Sequence, residues 1–114
     1  MNLDNKPLIT CNQSSNTLSE NEINTLLNEL NNWSLTAENG IKKISRCFAF
    51  NNYVSAQKFA NTIAALAEQE NHHPRICIEW GKATVSWWTH SIKGLFINDF
   101  IMAARCDRIF NELA

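Results

Sequence analysis

Glycine is scarce in this chain, and the three that occur, Gly40, Gly81 and Gly94, stand apart from one another. That excludes a glycine-rich phosphate loop and argues against nucleotide cofactors. An excess of charge of one sign is missing too: ten basic and eleven acidic residues leave a formal net charge of −1. Phosphate backbones call for a basic stripe, so nucleic acid is not an expected ligand. No apolar run approaches the roughly 20 residues of a membrane helix, and the opening MNLDNKPLIT carries one lysine and no apolar core of signal-peptide type. A cytoplasmic protein that does not enter membranes is expected. Cys11, Cys47, Cys77 and Cys106 form no CxxC or CxxH pair, which points to free, reduced thiols.

What is present fits one globular domain of 114 residues. Residues 1–17, rich in Asn, Ser and Thr, are expected to be a flexible lead-in without function, and 18–114 the single domain. Ser19 and Glu22 have capping-box spacing, and Ile23, Leu26, Leu27 and Leu30 recur at helical intervals, which predicts a first helix over 20–31. Trp33–Thr36 and Ile41–Phe50 read as two strands joined through Glu38, Asn39 and Gly40. Asn51 or Asn52 caps a second helix with an apolar stripe of Ala56, Phe59, Ala60, Ile63, Leu66 and Ala67; it ends near His72 because Pro74 disfavours helix at His73. Arg75–Trp80 and Ala83–His90 form a second hairpin about Gly81 and Lys82, and Leu95–Leu113 a third helix with Ile97, Ile101 and Ala104 inward. The fold class is therefore α+β: a four-stranded antiparallel sheet with three helices on one face, in the order α-β-β-α-β-β-α.

The chain has only three histidines, His72, His73 and His90. A loop of Gly81 and Lys82 sets Trp80 against Ala83, Ile78 against Val85 and Ile76 against Trp87, which carries His73 to a place opposite His90. Glu68 and His72, four residues apart, share a helix face near the helix C-terminus, where carboxylate and helix dipole both act on the imidazole. Paired histidines of this kind suit proton transfer, one as donor to a leaving hydroxyl and one as acceptor. Each alone is as well explained as a solvated helix end; their convergence is the functional signal. Three histidines also resemble catalytic zinc ligation, but adjacent residues such as His72 and His73 rarely aim at one ion, so no metal is expected.

The run RCFAFNNYVSAQKFANTIAALAEQENHHPRICIEWGKATVSWWTHSIKGLFINDF resembles the pterin-4a-carbinolamine dehydratase family. Glu68, His72, His73, Pro74, Trp80, His90 and Asp99 stand at the positions of its motif, Thr89 and His90 form its Thr-His pair, and Trp33 falls on a family tryptophan. The resemblance implies dehydration of 4a-hydroxytetrahydropterin to quinonoid dihydropterin, which recycles the pterin of aromatic amino acid hydroxylases without a metal or organic cofactor. It assigns catalysis to His72, His73 and His90; the pairing of Glu68 with His72 adds Glu68, and Pro74, Thr89, Ser91 and Trp88 are expected around the substrate. Trp80 alternates with Ile76 and Ile78 and is expected in the core, whereas Trp88 shares the His90 face. Asp99 is expected to serve the helix start, although the Ser or Thr usual three residues earlier is Phe96 here. Members of the family in animals also dimerise with a homeodomain transcription factor, so a non-catalytic adaptor is the alternative, and a homodimer or homotetramer is implied in either case.

Overall fold

The computed structural model describes residues 2–12 and 15–113, so that positions 1, 13 and 14 of the expected lead-in, and Ala114, lie outside the described residues. Helix α1 (Glu20–Glu29) starts with the anticipated capping box: Ser19 Oγ accepts from Glu22 N at 3.2 Å and Glu22 Oε1 from Ser19 N at 2.8 Å. The bond from Ser19 N, seconded by the Ser19 hydroxyl, holds the Glu22 carboxyl below its ordinary value. Strands β1 (Ser34–Glu38) and β2 (Ile41–Ala49) join through Asn39 and Gly40, both at positive φ (54° and 78°). Asn-Gly meets the demand for two left-handed residues at such a turn without strain. Helix α2 (Tyr53–Glu70) is capped by Asn52, whose Oδ1 accepts from Ser55 N at 2.8 Å. Strands β3 (Arg75–Glu79) and β4 (Lys82–Trp87) and helix α3 (Ile97–Glu112) complete the predicted order.

The sheet is antiparallel throughout, in the order β1-β2-β4-β3. Ile44, Phe48, Ala83, Val85 and Trp87 are buried on the helix-covered face, beneath Ala56, Phe59 and Ile63 of α2 and Phe100, Ile101 and Cys106 of α3. Phe48, Phe59 and Phe110 meet at centroid distances of 4.6–5.9 Å, contacts worth about 0.5–1.5 kcal/mol each beyond area burial. Burial at this depth also pushes the Cys106 thiol up to about 12. Asp107 fastens α3 to the sheet, accepting from Trp33 Nε1 at 2.9 Å and Arg46 Nη1 at 2.6 Å. Its carboxyl is raised by burial, an effect these partners oppose.

Three expectations about the elements change. The second hairpin turns on Trp80 and Gly81, so Glu79 pairs with Lys82, Ile78 with Ala83 and Ile76 with Val85. A slip of two residues leaves every side chain on the same face, so the hydrophobic pattern cannot distinguish the two registers. Backbone conformation separates them: Gly81, at φ 78°, occupies the second loop position, where a turn of this length favours glycine. Trp80 consequently sits at the tip of the hairpin, 73% exposed, and is not a core residue. Strand β4 ends at Trp87, short of His90, which opens a 3-10 turn over His90–Ile92. Finally, the segment expected as a lead-in packs on the domain: Leu3 is buried in the core, and Ile9 is hydrogen-bonded to Asn98 of α3.

Candidate active site

The end of α2 aims the first two histidines. Asn71 takes the left-handed conformation (φ 52°), His72 N donates to the Ala67 carbonyl at 3.1 Å and Asn71 N to that of Glu68 at 3.3 Å. These are the two bonds of a Schellman termination, which reverses the chain direction within one residue. The chain therefore leaves the helix with His72 turned inward and His73 outward, before Pro74 leads it into β3.

His72 is nearly covered, and its ring lies parallel to that of Trp87, with 5.5 Å between centroids and 3° between planes. Its Nε2 meets Asp99 Oδ1 at 2.7 Å. Asp99 is fully buried, and its Oδ2 also accepts from Thr89 Oγ1 at 2.8 Å and from Phe96 N at 2.9 Å. Half of a capping box thus survives without Ser or Thr at position 96: the acid returns a bond to the cap N–H, while Asp99 N donates to the Phe96 carbonyl at 3.0 Å. The carboxylate joins α2, the end of β4 and the start of α3. Charged hydrogen bonds of this kind contribute about 1.5–3 kcal/mol each.

His73 is half exposed, and its Nε2 meets Glu68 Oε2 at 2.5 Å. The expected partnership of Glu68 with His72 is therefore corrected. The helix has already ended at Glu70, so the i, i+4 neighbour relation no longer applies, and Glu68 reaches His73 instead. His90 Nε2 donates to the main-chain carbonyl of His73 at 3.2 Å. That bond leaves Nδ1 of the neutral ring with a bare lone pair. The three histidines do come together, although the cross-strand pairing expected to bring His90 to His73 is replaced by the 3-10 turn.

All three line one cleft of about 610 Å³, with Thr89, Ser91, Asn71 and Asn98, a volume in the range of small-molecule sites. Pro74 and Trp88, both expected around the substrate, do not line it. The Trp88 ring is occupied by His90 at 4.5 Å and by the Lys43 ammonium at 4.0 Å. Two features went unseen from the sequence: the link of Asp99 to His72, and a further wall formed by Leu8, Ile9, Thr10 and Cys11. The signal for Asp99 is its place in the motif; the helix dipole by itself accounts only for an acid in the first turn. The Asn/Ser/Thr-rich composition of the lead-in concealed its apolar anchors. Among the described residues no three His, Cys, Asp or Glu side chains are grouped to hold a metal ion, and no helix is long and apolar enough to cross a membrane.

An antiparallel sheet under three helices, with a histidine-lined cleft where α2, β4 and α3 meet, defines a small α+β protein class. The family model described as pterin 4 alpha carbinolamine dehydratase matches residues 16–109, and the chain belongs to that family. Provisionally named pterin-4-alpha-carbinolamine dehydratases share its sequence. That of Marinobacter nauticus is 47% identical over 109 residues, covering 96% of this chain and 98% of its own length. That of Chlorobium luteolum is 44% identical over 105 residues, covering 92% of each chain. A solved structure from Brucella melitensis, described as a transcriptional coactivator/pterin dehydratase, superposes with a TM-score of 0.73 at 32% identity, over 82% of this chain and 98% of that one. A pterin dehydratase-like protein identified as a RuBisCO assembly factor of the alpha-carboxysome has a TM-score of 0.59 at 22% identity, over 70% of this chain and 90% of its own; it shares the fold alone.

Proposed function

We propose that the chain dehydrates a 4a-hydroxytetrahydropterin to the quinonoid dihydropterin, returning the pterin to an aromatic amino acid hydroxylase in the cytoplasm. The observation that carries this reading is the convergence of His72, His73 and His90 on one cleft, two of them held by carboxylates. The reaction breaks the C4a–O bond, with a proton delivered to the departing hydroxyl so that it leaves as water. A ring nitrogen gives up its proton, and that electron pair becomes the new C=N bond. Both steps are proton transfers at positioned side chains, each worth about 10²–10⁴ in rate.

The hydrogen bonds support a division of labour. His90, whose Nε2–H is committed to a carbonyl, has Nδ1 free to accept a proton. His72, gripped by Asp99 and backed by Trp87, can exchange a proton at Nδ1 while its ring stays fixed, which makes it the proton donor to the leaving hydroxyl. His73, with Glu68, lies at the open rim and holds the pterin. Among the described residues no strand pairs the outer edges of β1 and β3, which supports a homodimer or homotetramer.

Stopped-flow measurement with chemically prepared 4a-hydroxytetrahydropterin tests the proposal. The protein is expected to accelerate loss of substrate, and His72→Ala and His90→Ala each to lower the rate by about 10²-fold or more. No rate above background would refute enzymatic function and favour the adaptor; unchanged rates in both variants would refute the histidine assignment.

A further inference from the structure

Four separate ties hold the N-terminal segment against α3. Leu3 is buried in the core, and Asp4 Oδ2 accepts from Arg108 Nη1 at 3.3 Å. The Lys6 carbonyl accepts from Arg105 Nη2 at 2.8 Å, while Nη1 of the same guanidinium reaches Glu70 Oε2 at 2.6 Å. The last tie is the most specific. Asn98 Oδ1 accepts from Ile9 N at 2.8 Å, and Asn98 Nδ2 donates to the Ile9 carbonyl at 2.7 Å.

A carboxamide that satisfies both main-chain groups of one residue sets the rotation of the chain as well as its position. Asn98 is itself 5% exposed, so it has little freedom to follow a wandering strap. When the N–H and C=O of one residue point to the same side, as in an extended chain, those of the next point to the other. Next along is Thr10, which lines the cleft and whose main-chain groups have no hydrogen-bond partner among the described residues.

We propose that this strap belongs to the substrate site, with the main chain at Thr10 pairing the amide edge of the pterin's pyrimidine ring and Asn98 acting as the positioning residue. The inference rests on the dehydratase reading above. The pyrimidine edge carries a donor beside an acceptor, the same arrangement that the Asn98 carboxamide presents to Ile9. Histidines then meet the reacting carbon while the strap holds the far end of the bicycle.

The test is Asn98→Leu in the full chain, a change of similar size that removes both bonds to Ile9. KM is expected to rise about five- to tenfold, the worth of one or two net hydrogen bonds, with kcat within about twofold. The rise should be equal for 6-methyl and 6-dihydroxypropyl substrates, because the ring edge is common to both. An independent readout is alkylation of Cys11 by iodoacetamide, mapped by mass spectrometry with biopterin as the probe. Biopterin should slow alkylation of Cys11 and leave that of Cys47 and Cys77, exposed on the sheet, unchanged. A fall in kcat at constant KM, a KM effect confined to one 6-substituent, or an active wild type whose Cys11 is not protected would each overturn the inference. If Asn98→Leu does not fold, protection of Cys11 in the wild type decides it. A wild type without activity overturns the dehydratase reading, and the strap's role with it.

Discussion

Two histidines of the cleft are held by carboxylates that stand outside its lining, at nearly equal length and in opposite setting. His72 and Asp99 meet at 2.7 Å with the carboxylate fully buried, whereas His73 and Glu68 meet at 2.5 Å with the Glu68 side chain 78% exposed. Distance alone would rank the second pair higher. Environment reverses the order: water and salt screen an exposed pair to about 0–1 kcal/mol, while a buried carboxylate with three donors leaves costly orphans if it is removed. One pair fixes geometry, and the other trims charge at a solvated rim.

The largest effect that would break this contrast is expected at Asp99. Asp99→Asn should lower turnover about 100-fold, because the His72 ring loses its fixed placement, and should cost about 1–3 kcal/mol of stability, read by kinetics and by urea denaturation. Glu68→Gln should change turnover no more than a few-fold and stability by less than about 1 kcal/mol; a loss matching that of Asp99→Asn would erase the difference between the two pairs. Ionic strength sharpens it further. In about 1 M salt, where charges are screened beyond roughly 3 Å, wild type and Glu68→Gln should converge in rate while Asp99→Asn stays apart.

The smallest effect concerns a third carboxylate, on the sheet face away from the helices. Lys43 Nζ donates to Glu38 Oε1 at 2.6 Å and Arg75 Nη1 to the same oxygen at 2.8 Å. With the Lys43 bond leading, they hold the Glu38 carboxyl at about 2, down from 4.5. A depressed carboxylate stabilises the fold above its unfolded value and loses that contribution as pH falls from about 4.5 through about 2. Carbon-detected NMR titration should find this midpoint, and Lys43→Ala should move it up toward the ordinary range.

Much of the architecture was legible because local rules and burial agreed. The Ser19–Glu22 box, the Asn39-Gly40 turn and the apolar stripe of α2 each specify an element without reference to the rest of the chain. The candidate site was legible in part: His72, His73, His90, Thr89 and Ser91 share one cleft, whereas Glu68, Pro74 and Trp88 stand outside its lining. Its partnerships were not. Glu68 is the helical neighbour of His72 only if the last turn reaches that residue, and Asn71 ends the helix just before it in a left-handed turn. Trp80 looked like core because its alternation with Ile76 and Ile78 is correct; only the position of the loop puts it in solvent.

By itself, the sequence determined the order and type of the elements, the single sheet, and the three histidines available for proton transfer, because periodicity, caps and turn residues act over a few positions. Tertiary structure alone decided that Asp99 holds His72 and that residues 8–11 wall the cleft. Those contacts join residues 27 apart for His72 and Asp99 and 89 apart for Ile9 and Asn98. Separations of that size are set by how helices, sheet and strap pack together, which local pattern does not encode.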